Sequence, residues 1–73
     1  MQVTVKLYAS FYIGRFSTEV RSYPEATTIS TIAKDLGILE APLIHLRNGC
    51  HAGFDETVQD GDTVSILPAI DGG

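Results

Sequence analysis

The chain has no tryptophan, a single cysteine, and only five lysines and arginines among its 73 residues. One cysteine excludes an internal disulfide and fits a reducing compartment. Five basic residues against nine acidic ones leave a net charge of −4. That balance argues against nucleic acid or an anionic membrane as partner, because both require clustered Lys and Arg. No apolar run approaches the length of a bilayer span. No basic segment followed by an apolar stretch stands at the N-terminus. A soluble, cytoplasmic protein is therefore expected. There is no P-loop pattern and no glycine-rich fingerprint at a strand–helix turn, so no nucleotide site of its own is expected. A length of 73 residues allows one small domain, and such a domain buries only about 60% of its unfolded surface.

What is present is a clear change of period along the chain. Val3, Val5 and Leu7 alternate with polar neighbours over residues 2–8, as in a strand with one buried face. Residues 9–15 read as a loose turn around Gly14. Phe16, Thr18 and Val20 then alternate with Ser17, Glu19 and Arg21, giving the second strand of an antiparallel hairpin. Pro24 interrupts the pattern. From Thr28 the period becomes helical: Ile29, Ile32, Ala33 and Leu36 form one apolar stripe. Thr27 or Thr28 can cap the N-terminus, and Gly37 suits a left-handed C-terminal position. The helix is expected over about 28–37.

Leu43–Arg47 reads as a third strand, followed by Asn48-Gly49, the strongest short hairpin signal. A poor return strand follows through Phe54, and Asp55–Val58 suggests a single helical turn. Asp60-Gly61-Asp62 is a tight turn. Thr63–Leu67 is the last strand, and Pro68 ends it. The expected fold class is α+β: a mixed sheet of four or five strands with one helix on one face. With the first and last strands parallel and central, this is the β-grasp arrangement. The domain covers residues 1–68, and 69–73 form a flexible tail.

That tail, Ala69-Ile70-Asp71-Gly72-Gly73, is the chain's most informative segment. At ordinary glycine usage a terminal Gly-Gly arises by chance in about 0.5% of chains, and a frayed end is the bland reading. Its context adds weight: it follows directly from a strand that Pro68 terminates. Two residues without side chains let the backbone enter a narrow channel, and the carboxylate of Gly73 is free. A carboxylate becomes a useful electrophile once ATP converts it to an acyl adenylate, and a sulfur donor can then displace AMP.

The run Val58–Gly73, with its D-G-D turn, hydrophobic strand, short extended stretch and terminal Gly-Gly, resembles the C-terminal signature of the ubiquitin-like sulfur carriers. These comprise the small subunit of molybdopterin synthase and the thiamine-biosynthesis carrier. Val3–Ala9 and the Asn48-Gly49 turn are similar to the molybdopterin type. Leu67-Pro68 and the long first hairpin also favour that branch, whereas the Val58–Asp62 segment suits the thiamine type equally well. The resemblance implies a protein carrier and not an enzyme. Gly73 would bear the adenylate and then the thiocarboxylate, and Gly72 would give access. Tyr8, Leu67, Pro68 and Ile70 would contact partners. It implies no cofactor bound by this chain, ATP being used by an E1-like adenylyltransferase. The further partners implied are a desulfurase- or rhodanese-type sulfur donor and a synthase large subunit or thiazole synthase. A protein modifier, joined through Gly73 to a lysine, shares the activation step. A β-grasp binding module with an idle tail is the third reading.

The other candidates favour bland readings. Cys50 sits in a hairpin loop and is expected to be incidental. Cys50 with His45 and His51 matches no zinc spacing, so no metal is expected. Asp60 and Asp62 are expected to serve turn chemistry. Arg15, Arg21 and Arg47 are scattered.

Overall fold

A computed structural model describes residues 1–38 and 43–69. The alternating N-terminal segment forms β1 (Gln2–Leu7), with Val3, Val5 and Leu7 buried. It pairs antiparallel with β2 (Thr18–Ser22) and parallel with β5 (Thr63–Pro68). On the far side of β5 lies β3 (Leu43–Arg47), antiparallel to it and followed by the two-residue β4 (Cys50–His51). The sheet order is β2-β1-β5-β3-β4. First and last strands thus lie side by side and parallel, with one helix crossing over, as the β-grasp reading requires.

Helix α1 (Ile29–Asp35) buries Ile29, Ile32 and Ala33 against the sheet. Of the two candidate caps Thr28 is the one used: its hydroxyl accepts from the Thr31 N–H at 3.2 Å. Thr27 instead donates its hydroxyl to the Pro24 carbonyl at 2.7 Å. Gly37, at φ +74°, ends the helix in the left-handed region that glycine occupies without cost. The helix packs on the face carrying Val5, Leu7, Val64 and Ile66, which the parallel register aligns.

Two local expectations are corrected, and the face of the second strand, on which the alternation was silent, is settled. Residues 9–15 are more than a loose turn: Ala9–Tyr12 form a 3₁₀ helix that buries Phe11, and the turn around Gly14 follows it, closed by the Arg15 N–H on the Tyr12 carbonyl at 3.0 Å. Asp55–Val58 make no helical turn, because Thr57 bridges antiparallel to Thr28 and the Val58 N–H donates to the Thr27 carbonyl at 2.9 Å. Pairing Glu56–Val58 with the helix entry satisfies backbone groups that a helical turn would leave to water. Finally, the second strand turns its polar set inward. The register pairs Val3 with Arg21 and Val5 with Glu19, so Val20 lies on the outer face, 60% exposed. β2 is an edge strand, and its inner face is closed by charge. Arg21 meets Glu19 at 2.7 Å and Asp35 of α1 at 3.1 Å, and lies 5.5 Å over the Phe16 ring.

The start of β5 is fastened from three sides. The Asp60 carboxylate accepts from the Gln2 N–H at 2.7 Å. Asp62, only 8% exposed, accepts from the Asn48 amide at 2.9 Å and from the Gln59 N–H at 2.8 Å. Arg47 stands 3.2 Å from the same carboxylate. Burial alone would push the Asp62 carboxyl up. The Asn48 amide, the Gln59 N–H and the Arg47 guanidinium outweigh burial and hold it below the ordinary aspartate value. The unfolded chain therefore binds this proton more readily. The stability from Asp62 is complete above the unfolded value, about 3.9, and is lost as pH falls through the lower folded value. Asp62→Ala is expected to lower stability by about 2 kcal/mol at pH 7, by removing the charged acceptor that Asn48, Gln59 and Arg47 share. Urea unfolding should show the gap between wild type and variant narrowing from pH 7 to pH 3.

Candidate functional site

The direction of β5 sets the site. The strand enters at the fastened Asp60–Asp62 turn, runs between β1 and β3, and ends at Pro68, which pairs with Leu43. Without an N–H, Pro68 cannot extend a ladder, so the chain leaves the sheet here. Ala69 is the last described residue. Ile70, Gly72 and Gly73, all singled out from the sequence, lie outside the described residues.

The other singled-out residues gather where β5 ends. The Tyr8 N–H donates to the Ile66 carbonyl at 3.3 Å, and the Tyr8 side chain is 42% exposed. Leu67 alternates with the buried Ile66, which puts it on the outer face opposite Ile44. Both are half-buried, as is Pro68. The structure thus brings Tyr8, Leu67 and Pro68 to one end of the sheet.

Two more apolar side chains join them that sequence reading passed over. Tyr12 and Ile13 are 50% and 68% exposed, on the 3₁₀ segment that packs against β5. Phe11 plugs the core beneath them. Arg15 pins the segment from the other side: its Nε donates to the Leu36 carbonyl at 2.8 Å and its Nη1 to the Phe11 carbonyl at 3.1 Å. The cation thereby meets the C-terminal end of α1, where the helix dipole favours it. The available signal was the run Phe11-Tyr12-Ile13. Three successive apolar residues in a loop cannot all reach one core, so at least one must be presented to solvent.

Of the remaining candidates, Cys50 and His51 lie on β4, level with the start of β5 and away from this end. Cys50 is exposed with a free thiol. His51 pairs with Leu46 and His45 with Ile66, so the two histidines occupy opposite faces of the sheet. His45 stacks on Phe54 at 4.7 Å, with Nδ1 2.9 Å from the Ala52 carbonyl oxygen. Among the described residues no three His, Cys, Asp or Glu side chains cluster as metal ligands would. The three arginines are all engaged: Arg15 and Arg21 as above, and Arg47 also with Glu56 at 3.0 Å. A shallow hollow lined by Glu25, Ala26, Val58 and Asp60 lies at the start of β5. It is at the other end of the strand from the tail, and its two carboxylates would repel a phosphate.

A family model described as the ThiS family matches residues 5–73. No curated protein matches the chain. Solved structures share the fold. A Pyrococcus furiosus protein described as molybdopterin converting factor, subunit 1, aligns with a TM-score of 0.80 at 22% identity, over 96% of this chain and 99% of its own. Small archaeal modifier protein 1 of Haloferax volcanii gives 0.78 at 21% identity, over 94% and 98%. One chain of a structure described as a complex of subunits 1 and 2 of the molybdopterin-converting factor from Helicobacter pylori gives 0.67 at 18% identity, over all of this chain and all of its own.

Proposed function

The chain belongs to the ThiS family of ubiquitin-like sulfur carriers, and on that premise we propose that the carboxylate of Gly73 is the group it contributes to chemistry. The observation that carries this reading is the extent of the family match, which runs through Gly73 itself. The chain is a protein co-substrate and not an enzyme. An E1-like adenylyltransferase joins the carboxylate to ATP, releasing pyrophosphate. A desulfurase- or rhodanese-type donor carries the sulfur as a persulfide; a second thiol releases it as hydrosulfide and is oxidised to a disulfide, and the hydrosulfide displaces AMP and leaves a thiocarboxylate. Residues 1–68 are the handle and 69–73 the tail that enters the partner's channel. The free thiol of Cys50 suits a cytoplasmic setting, where thiols stay reduced.

We favour the molybdopterin-type acceptor over the thiamine type. The Leu67-Pro68 exit and the long first hairpin support it, as do neighbours described as molybdopterin converting factor subunits. A synthase large subunit would then be the second partner. A protein-modifier role is the alternative, supported by the likeness to small archaeal modifier protein 1. The test of the shared step is pyrophosphate exchange: the activating enzyme should exchange pyrophosphate with ATP only when this chain is present. Exchange independent of the chain overturns the reading.

The rim of Tyr8, Tyr12, Ile13, Leu67 and Pro68 is the docking surface around the tail in this account. Apolar side chains held rigidly at a chain exit suit a small interface. Ile13→Asp is expected to raise the KM of the activating enzyme for this protein about tenfold, with kcat and melting temperature little changed. Ile13 supports no core contact, so a fall in melting temperature instead would assign it to folding.

A further inference from the structure

We infer that Asn48 is a deamidation site that the fold holds in check, and that its conversion to aspartate unfastens the β3–β4 turn from the start of β5. Asn48-Gly49 is the two-residue turn between the paired Arg47 and Cys50. Both residues have positive φ, +53° and +83°, as a type I′ turn requires. Gly49 has no side chain, and an added Cβ would meet nothing within 4 Å. Asn48 and Gly49 are both exposed, so the turn is open to water and base.

The chemistry is internal to the chain. The Gly49 amide nitrogen, having lost its proton to base, attacks the Asn48 side-chain carbonyl carbon. A nitrogen–carbon bond forms, the bond to Nδ2 breaks, and ammonia leaves with the proton it needs. The product is a five-membered succinimide. Water then opens either of its carbonyls, giving aspartate or isoaspartate. No oxidant or reductant is needed.

The carboxamide is not free to enter this reaction. Its Nδ2 donates to Asp62 at 2.9 Å, and its Oδ1 accepts from the Thr63 N–H at 2.9 Å. Bringing its carbon onto the Gly49 nitrogen breaks both bonds. Asp62 cannot follow the amide, because the Gln59 N–H and Arg47 hold it. Two lost hydrogen bonds, one of them to a charged group, correspond to about 30-fold slower reaction than in the free chain. Once aspartate forms, the donor is gone and a second carboxylate faces Asp62. Arg47 offsets the repulsion only in part, since it is shared with Glu56. Isoaspartate also inserts a methylene into the turn's backbone.

Asn48 is the only asparagine in the chain, so a mass gain of about one unit, ammonia lost and water gained, can be mapped to it by peptide analysis. The full chain is incubated at pH 8 and 37 °C, folded and in denaturant, alongside folded Asp62→Ala and the gentler Asp62→Asn. Deamidation about 30-fold faster in denaturant is expected. Asp62→Ala should recover most of that difference, and Asp62→Asn, which keeps an amide oxygen as acceptor, about threefold. Equal rates for folded and denatured wild type would overturn the inference, as would a folded Asp62 variant as slow as wild type. The consequence is read separately: Asn48→Asp should unfold at lower urea than wild type, and an unchanged midpoint would refute the unfastening.

Discussion

Removing Gly72 and Gly73 is expected to reduce adenylate formation to background while leaving the melting temperature unchanged. The expected size of the effect is limited only by the assay, because on the proposed function the deletion takes away the reacting carboxylate itself and sets Asp71 in its place. A retreat of the reactive end by two residues is about 7 Å of extended chain, and misplacements of 1 Å already cost about 10²-fold. Gly72→Val is the finer probe. A β-branched side chain next to the reacting residue opposes entry into a narrow channel, and a loss of about 10²-fold in kcat/KM is expected. The stability of both variants should match wild type, since every described core residue lies at or before Ile66. Pyrophosphate exchange and thermal melts check the two halves. An active truncated chain would favour the reading in which the tail is idle.

Ile32→Ala is expected to be the most damaging single change to the handle, with a loss of about 3–4 kcal/mol. Ile32 is fully buried at the middle of α1's apolar stripe. The helix is two turns long and has no propensity to stand alone, so its place on the sheet depends on this stripe. A chain of this size has about 4–11 kcal/mol in total at ordinary per-residue stability. The variant should therefore melt about 15–25 °C lower, and its activation should fall with the folded fraction. Chemical denaturation of wild type and variant measures it directly. A loss below about 1 kcal/mol would mean that the helix is held by something other than its buried face.

The contrast between the two changes explains what was readable in the sequence. The helix stripe, the strand alternation and the Asn48-Gly49 turn each express one local rule, and all three stand in the structure where the rule puts them. The order of elements allowed parallel β1 and β5 only if the two lie side by side in the centre, and the sheet places them so. What the sequence left open or missed falls where tertiary context decides. Alternation in Thr18–Ser22 fixed the period but not the face, because Arg21 finds Asp35 on a helix that is distant in sequence. Phe11 gave the 9–15 segment a core anchor that no turn signal announces. The Asp60-Gly61-Asp62 turn stands where it is expected, but its carboxylates accept from Gln2, Asn48 and the preceding Gln59 and not from the backbone that follows, a reach that depends on strands meeting across the sheet. The site was legible in part. Tyr8, Leu67 and Pro68 stand together where β5 ends. Tyr12 and Ile13 join them only because the 3₁₀ segment packs beside β5.

The sulfur-carrier account rests on one covalent change at Gly73, and intact-mass spectrometry reads it directly. The protein is incubated with ATP, its activating enzyme and a sulfur donor. Replacement of one carboxylate oxygen by sulfur raises the mass by about 16 units, the difference between the two atoms, and fragmentation should place the gain on the last residue. An unchanged mass, with the activating enzyme shown to form the adenylate, would contradict the account. So would a gain located anywhere but Gly73.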